Sequence, residues 1–144
     1  HVSSLTGQPF NPDFFARDGF VYDTEPACRA VVSVRALQPE ISLMYFGMLQ
    51  QAFYAEGRDI TRNDELAACA SAIGLAPSVF ESFFASEKAI PATQRDFQIK
   101  QRLGVTSLPT LVTGSDGEDP VVIADGYRDL APLFPAIERW IGSA

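Results

Sequence analysis

Few side chains in this sequence could support redox or metal chemistry. The chain holds two cysteines, Cys28 and Cys69, which stand 41 positions apart, and a single histidine, His1. It has no Cys-x-x-Cys pair, the arrangement that places two exchangeable thiols side by side in redox motifs. The same residues cannot assemble one of the usual zinc ligand sets, which need several Cys, His or carboxylate ligands. We therefore predict neither a metal site nor a cofactor.

Each cysteine can be interpreted in two ways. Cys28 falls in the first turns of a predicted helix, where the helix end favours a thiolate, but a small buried residue would suit the same place. We favour burial for Cys28, and we place Cys69, which alanines flank, in the core. A disulfide would require the two Cα atoms to lie within about 7 Å of each other, and we do not expect one.

An acidic segment near the C-terminus could suggest calcium binding. Asp116, Glu118 and Asp119 stand close together there, beside Gly117. The segment is too short for an EF-hand loop and lacks its ligand pattern. We interpret it as a solvated turn.

The charge of the chain excludes several classes of protein. Its 144 residues carry 11 basic and 18 acidic side chains, a net charge of −7. Affinity for nucleic acid and for anionic membranes depends on clustered Lys and Arg, so neither is expected as a partner. We find no run of about 18 apolar residues and no signal-peptide pattern. Two widely spaced cysteines favour a reducing cytoplasm.

The elements that must position these residues are mostly helices. With 47% hydrophobic residues, the chain can bury a core. Pro26 and Pro77 fit first helical turns, and Gly57 and Gly74 fit helix ends. The helix at Pro26 can be capped by Asp23 or Thr24. The predicted helices run from about residue 24 to 38, 41 to 56, 63 to 73, 77 onward, 91 to 103 and 130 to 141.

Periodicity assigns apolar faces to these helices. The stripe on the second helix consists of Leu43, Phe46, Leu49, Gln50 and Phe53. The fourth helix offers an apolar set that could be core or a groove for a partner, and we favour core: Val79, Phe80, Phe83 and Phe84. The last helix has one face made of Leu133, Phe134, Ile137, Trp140 and Ile141.

The pattern changes after Gly104. The segment from Val105 to Val112 is β-rich apart from Pro109, and Val121–Ala124 is a second such run, so together they predict a β-hairpin. A two-stranded hairpin is marginally stable alone and needs further strands or a helix for cover. The fold class is therefore α/β and mostly helical, with sheet partners expected from elsewhere.

The position of Pro109 carries the strongest resemblance. Proline cannot donate to a sheet ladder, so it belongs at a strand start. The stretch Gly104–Val112 resembles the cis-proline loop of thioredoxin-fold proteins, and Val122–Tyr127 resembles the strand that follows it. Tyr22–Ala30 and Ala52–Ile60 resemble the helical insertion of DsbA-like proteins. Over essentially its whole length, the chain resembles DsbA-like thiol–disulfide oxidoreductases and predicted protein-disulfide isomerases.

The resemblance implies a partial thioredoxin-like fold. Residues 1–104 would be a helical insertion lobe with an irregular start, and residues 105–144 would be the C-terminal strand–strand–helix half. The family's opening strand–helix–strand, with its Cys-x-x-Cys, is absent from this sequence, so we expect no catalytic residue and no dithiol turnover from the chain alone. The implied substrate-binding loop, with a cis bond before its proline, consists of Ser107, Leu108, Pro109 and Thr110. Thr24 would lie beside the cleft or serve simply as a helix cap. The implied partners are protein or peptide thiols and disulfides, and glutathione.

Two other functions stay open. Kappa-type glutathione transferases and chromene-carboxylate isomerases resemble the same layout and would bind glutathione through the same loop. A non-catalytic helical module could instead use its hairpin to add strands to a partner's sheet. In the thioredoxin fold that the resemblance implies, the strand after the cis-proline pairs with a parallel strand of the front half. That neighbour is missing here, so Thr110–Thr113 would present an open strand edge, which is a template for another chain. We predict that this edge is covered by a second copy in a homodimer, by a swapped segment or by residues 1–10.

Overall fold

The structure, a computed structural model, describes residues 2–114 and 120–142. The chain divides into two compact units, one ending at Arg95 and the other beginning at Asp96, which we call the helical unit and the C-terminal unit. The division after residue 104 that the resemblance implies stays a prediction. The acidic turn at residues 115–119 lies outside the described residues.

Short helices make up the helical unit, as the sequence predicts. Pro26 and Pro77 lie in first turns, where a missing N–H leaves no carbonyl unpaired. Gly57 and Gly74 follow helical segments with φ of +67° and +89°, a backbone conformation that favours glycine. In chain order the elements are α1 (Val2–Thr6), a 3-10 turn (Pro12–Ala16), α2 (Glu25–Leu37), a 3-10 turn (Pro39–Ile41), α3 (Ser42–Gln50), a π-helical turn (Gln51–Ala55), α4 (Asn63–Ala72), α5 (Pro77–Phe84) and α6 (Ala89–Arg102), which continues past Arg95.

A single hydrophobic core lies between α2, α3, α4 and α5. Phe80 and Tyr45 are fully buried, with ring centroids 6.0 Å apart, and Phe80 stacks on Phe84 at 5.5 Å. The buried Tyr45 hydroxyl donates a hydrogen bond to the Leu66 carbonyl at 3.0 Å, so its polar atom is satisfied inside the core. Burying one such side chain contributes about 1.5–3 kcal/mol. The prediction that Phe80 and Phe84 are core residues is confirmed, and so is the burial of Cys69.

The predicted apolar stripe on the second helix is partly wrong. Leu43 and Phe46 are exposed, at 83% and 46%, whereas Tyr45 is buried in their place. Leu43 and Phe46 lie in regular α3, before the π-helical turn, so the error is in the choice of helix face. The buried residues follow the i, i+4, i+7 and i+8 spacing of a single face: Tyr45, Leu49, Ala52 and Phe53. Apolar side chains occur on more than one face of this helix, and packing against the core selects the face of Tyr45 and Leu49.

The prediction for the fourth helix needs a smaller correction. Val79, expected on the core face, is exposed, and Phe83 is only half-buried. Because α5 is only eight residues long, its core face holds two aromatic rings one turn apart, Phe80 and Phe84. The neighbouring residues on either side point away from the core.

The C-terminal unit holds a two-stranded antiparallel sheet. Strand β1 (Thr110–Thr113) pairs with β2 (Val121–Asp125), and the register shifts between Leu111 and Val112. The predicted first strand began too early. Residues 105–109 stay outside the ladder, because Pro109 cannot donate to it. A 3-10 turn (Ala131–Leu133) and α7 (Phe134–Ile141) replace the single predicted last helix, since Pro132 and Pro135 each remove an N–H donor.

Little of the C-terminal unit is buried. Among its described residues only Ala124 is buried, and α7 has no buried residue. The sheet has two strands in the described part of the chain, and residues 2–6 form α1. Of the three predicted ways to cover the hairpin edge, a strand from the N-terminal arm is therefore wrong, and the second copy and the swapped segment stay predictions. A short five-residue helix cannot at the same time be an extended strand. Within residues 2–114 and 120–142, every helix is too short or too polar to span a bilayer.

Candidate functional site

The candidate site in the C-terminal unit is the loop that leads into β1. The peptide bond between Leu108 and Pro109 is cis. The Leu108 side chain is 77% exposed. Within the described residues, neither the N–H nor the C=O group of Leu108 hydrogen bonds to another part of the chain. The loop therefore offers free backbone groups and an apolar side chain to a second molecule.

Side-chain hydrogen bonds fix the two ends of this loop. The Thr110 hydroxyl donates to the Ser107 carbonyl at 2.8 Å, which closes the loop across Pro109. The Ser107 hydroxyl donates a hydrogen bond to Oδ1 of Asp125 on β2. Thr110 also lies opposite Asp125 in the sheet register, and its hydroxyl oxygen is 3.4 Å from the same carboxylate oxygen. The sheet thus holds Ser107, Leu108, Pro109 and Thr110 together as one group.

Asp125 is the residue of this site that the sequence analysis misses. It accepts from Ser107, so it positions the loop without itself being part of it. A signal was present, because a polar residue at the far end of the second strand must lie opposite the start of the first strand in a hairpin. The register shift between Leu111 and Val112 decides which residue that is, and no sequence pattern placed that shift.

Thr24, the remaining predicted site residue, lies in the helical unit at the N-cap of α2. Its side chain makes no capping hydrogen bond. The cap comes from Asp23, whose Oδ1 accepts from the Glu25 N–H at 2.9 Å. Of the two predicted capping residues, Asp23 therefore provides the cap. The Thr24 hydroxyl is exposed and available for other contacts.

Neither cysteine is part of the loop. Neither forms a disulfide; Cys28 is half-buried in the first turns of α2, and Cys69 is buried in α4. Burial raises the pKa of the Cys69 thiol, and the nearby Arg58 guanidinium only partly opposes that effect. Arg58 itself donates to Glu65 at 2.7 Å. A buried thiol with a raised pKa is a poor nucleophile, so Cys69 acts as a core residue.

The described residues contain no cluster of three or more His, Cys, Asp or Glu side chains that could hold a metal ion. The loop has no nucleophile other than hydroxyl groups that are already hydrogen bonded. What it can do chemically is bind an extended segment through its backbone, as a sheet edge does.

Comparison with known proteins gives one family. The family model of the DSBA-like thioredoxin domain matches residues 14–133. Among curated proteins, the ClpXP adapter protein SpxH of Shouchella clausii is 27% identical over 140 residues, which cover 96% of this chain and 46% of the relative. The ClpXP adapter protein SpxH of Halalkalibacterium halodurans is 23% identical over 118 residues, covering 82% and 38%. The chain thus spans less than half the length of these relatives.

Solved structures give a closer likeness. A predicted protein disulfide isomerase from Nitrosomonas europaea is 37% identical with a TM-score of 0.92, over 99% of this chain and 69% of the other. The cytosolic disulfide reductase DsbM from Pseudomonas aeruginosa is 25% identical with a TM-score of 0.78, over 99% and 73%. A structure of DsbM with GSH has 26% identity and a TM-score of 0.68, over 96% and 67%.

Proposed function

The chain belongs to the DSBA-like thioredoxin-domain family, and we propose that it is the helical and C-terminal portion of a thiol–disulfide oxidoreductase. Residues 1–104 would form the lobe that shapes the substrate cleft, and residues 105–144 would form the half-domain that carries the substrate-binding loop. The observation that carries this proposal is the loop at Leu108, with exposed and unpaired backbone groups held by the sheet. The disulfide isomerase and reductase named among the structural neighbours support it.

In this proposal the chain binds and orients, and it transfers no electrons. A thiolate supplied by a Cys-x-x-Cys pair outside these residues attacks one sulfur of a substrate disulfide. A mixed disulfide forms, the other substrate sulfur leaves as a thiolate, and the second cysteine of the pair resolves the intermediate. The backbone of Leu108 would hold the substrate segment next to its disulfide by strand-like pairing. Thr24, whose hydroxyl makes no capping hydrogen bond, is proposed as a further substrate-binding residue.

The proposed partners are peptides and proteins that contain thiols or disulfides, together with glutathione. Glutathione is a short peptide with a thiol, so the free N–H and C=O of Leu108 could pair with its backbone in the same way. The DsbM structure with GSH favours this small thiol, and the word cytosolic in that protein's name favours a reducing compartment. The open edge of the hairpin is the proposed contact in a homodimer.

A binding experiment tests this function directly. Amide chemical shifts would be followed while glutathione, or a peptide with an intramolecular disulfide, is added to the chain. We expect shifts at Ser107, Leu108 and Thr110. Thr110→Val, which removes the hydrogen bond to the Ser107 carbonyl, should weaken binding several-fold. The matched control is Thr113→Val on the same strand, whose hydroxyl makes only a 3.5 Å contact with the Val121 carbonyl. Shifts elsewhere, with none in the loop, would contradict the proposal.

Turnover is the second measurement. We expect the chain alone to leave insulin disulfides unreduced above background, because no adjacent thiol pair can resolve a mixed disulfide. Turnover that disappears in Cys28→Ser would overturn this expectation and assign Cys28 a redox role.

A second candidate function is a non-catalytic protein-binding module. The name ClpXP adapter, which both curated relatives carry, favours it. The two candidates differ in their dependence on redox state. A substrate loop of an oxidoreductase should distinguish the oxidised from the reduced form of one peptide, whereas an adapter should bind both alike.

A further inference from the structure

An aromatic patch covers part of the helical unit, away from its core. It consists of Phe10, Phe20, Tyr22, Phe53 and Tyr54. Phe53 forms its buried floor, with Tyr22 at 5.5 Å and Tyr54 at 4.8 Å between ring centroids. Phe10 stacks on Tyr54 at 5.8 Å, and Phe20 meets the edge of Tyr22 at 6.5 Å. The rings thus form one continuous surface rather than scattered side chains.

The outer rings of the patch remain open to solvent. Tyr22 is 55% exposed, and Phe10 and Tyr54 are each 38% exposed. The two tyrosine hydroxyls lie 3.4 Å apart. That hydrogen bond, together with burial, raises the pKa of Tyr22 to about 12, so its ring stays neutral at physiological pH. A contiguous exposed apolar patch of this kind marks an interaction surface.

Most charges around the patch are acidic. Asp23 follows Tyr22, and a shallow hollow of about 390 Å³ is lined by Asp18 and Asp59 together with Phe20, Val21 and one cation, Arg17. Within residues 2–114 and 120–142, no ion pair involves any of these three carboxylates.

Two of the nearby cations are paired with carboxylates. Arg29 lies 3.2 Å from Glu25, and Arg58 binds Glu65. Arg17 donates to the neutral Gly57 carbonyl and therefore keeps its positive charge. Three carboxylates against this one cation leave the local charge around the patch negative, in a chain whose net charge is −7.

We propose that the aromatic patch, with Asp18 and Asp23 at its rim, binds an extended peptide segment that carries Lys or Arg side chains. A cation over a tyrosine face is attracted by the electron-rich ring, and the rim carboxylates add to that attraction. The aromatic rings and the rim carboxylates both favour a cationic ligand, whereas an uncharged apolar segment would gain nothing from the carboxylates. This inference goes beyond the proposed function, because it requires no redox step and no contribution from the loop at Leu108.

The test uses three peptides of one length and the whole chain. The first alternates Arg with Ser and Gly, the second has citrulline in place of each Arg, and the third has Glu in place of each Arg. Citrulline keeps the shape of Arg and removes its charge. We expect the Arg peptide to bind, measured by fluorescence anisotropy at low salt, and the citrulline peptide to bind at least about fivefold more weakly. The Glu peptide should not bind, and added salt should weaken the Arg complex.

Three variants separate the two features of the patch. Tyr22→Leu keeps apolar bulk and loses the ring, so binding should weaken about two- to fivefold, whereas Tyr22→Phe should retain it. Asp23→Asn removes the charge and keeps a side chain that can cap α2, so binding should weaken by a similar factor without loss of helix. The control is Glu87→Gln, an exposed residue between α5 and α6 that carries the same change of charge outside the patch.

The outcomes decide the proposal independently of the oxidoreductase function. Equal binding of Arg and citrulline peptides would overturn it, as would no binding of the Arg peptide at all. Unchanged binding by Tyr22→Leu and Asp23→Asn would place the site elsewhere and overturn it too. Circular dichroism of each variant checks that the fold is intact. None of these results depends on glutathione or on turnover.

Discussion

The helical unit and the C-terminal unit have similar kinds of apolar residues and use them differently. In the helical unit, Tyr45, Leu66 and Phe80 are completely shielded from solvent. In the described part of the C-terminal unit, Phe134 on α7 is 50% exposed and Ala124 is the one buried residue. Four short helices can cover one another, whereas a hairpin and one helix leave each other's apolar faces open. Composition sets how much apolar surface a segment has, and only its neighbours decide whether that surface is buried.

The sharpest way to break this comparison is to truncate one aromatic residue in each unit. Phe80→Ala should cost about 3–5 kcal/mol, because it leaves a cavity among Tyr45, Phe84 and their neighbours. Phe134→Ala should cost less than about 1 kcal/mol, because half of that ring is already in water. Urea unfolding would be followed by circular dichroism for the helical unit and by fluorescence of the single tryptophan, Trp140, for the C-terminal unit. Equal losses in the two variants would refute the contrast.

The dependence of stability on alkaline pH tests burial in the same core without removing a side chain. Burial, with a smaller contribution from Cys69, raises the pKa of Tyr45 far above its ordinary value of 10.0. Above pH 10 the unfolded chain releases this proton while the folded chain keeps it, so stability is complete below pH 10 and falls as the pH rises. We expect about 1.4 kcal/mol to be lost from this group by pH 11. Tyr45→Phe should lack that part of the pH dependence, and an identical pH profile would contradict the assignment.

A smaller effect distinguishes two neighbouring residues at the start of α2. Asp23→Ala removes the side chain that accepts from the Glu25 N–H, and we expect a loss of about 1 kcal/mol. Thr24→Ala removes a hydroxyl that makes no capping bond, so its effect should stay within about 0.5 kcal/mol. Thermal unfolding of both variants measures the difference. A larger loss in Thr24→Ala would show that Thr24 provides the cap.

The smallest expected change in stability lies in the C-terminal unit. Asp125→Ala removes the acceptor of the Ser107 hydroxyl at an exposed site, so we expect about 0.5 kcal/mol or less in global stability. Hydrogen exchange at Leu108 and Thr110 should nevertheless become faster, because the loop loses its tie to β2. Asp125→Asn retains a carbonyl acceptor and should keep the slower exchange. Exchange unaffected by Asp125→Ala would mean that Pro109 and Thr110 hold the loop unaided.

Much of the fold could be predicted from local signals. Pro26 and Pro77 marked helix starts and Gly74 marked a helix end, because proline and glycine restrict the backbone whatever surrounds them. The hairpin followed from two β-branched runs. The buried face of α3 could not be predicted from periodicity, because apolar residues such as Leu43 and Phe46 occupy a second face, and only packing against the other helices selects the face of Tyr45.

The candidate site was predicted in part for the same reason. Pro109 and its neighbours stand together in the sequence, so one motif located the loop. Asp125 lies 16 positions after Pro109 and reaches the loop only through the pairing of β1 with β2. The aromatic patch is also non-local, since Phe10, Tyr22 and Tyr54 come from three separate segments. A sequence pattern detects what is adjacent along the chain, and these contacts are adjacent only in space.

Gly57 is not part of the aromatic patch, but it lies next to Asn11, which is hydrogen bonded to a residue of the patch. A Cβ added there would lie 2.9 Å from the amide nitrogen of the Asn11 side chain, at a φ of +67° that already disfavours any other residue. Asn11 is in turn tied through its backbone N–H to the Tyr54 carbonyl at 2.6 Å. A substitution at Gly57 would therefore strain the backbone and force the end of the Asn11 side chain to move. In a saturation mutagenesis library selected for peptide binding, Gly57 should behave as an intolerant position, although it is not one of the rings of the patch.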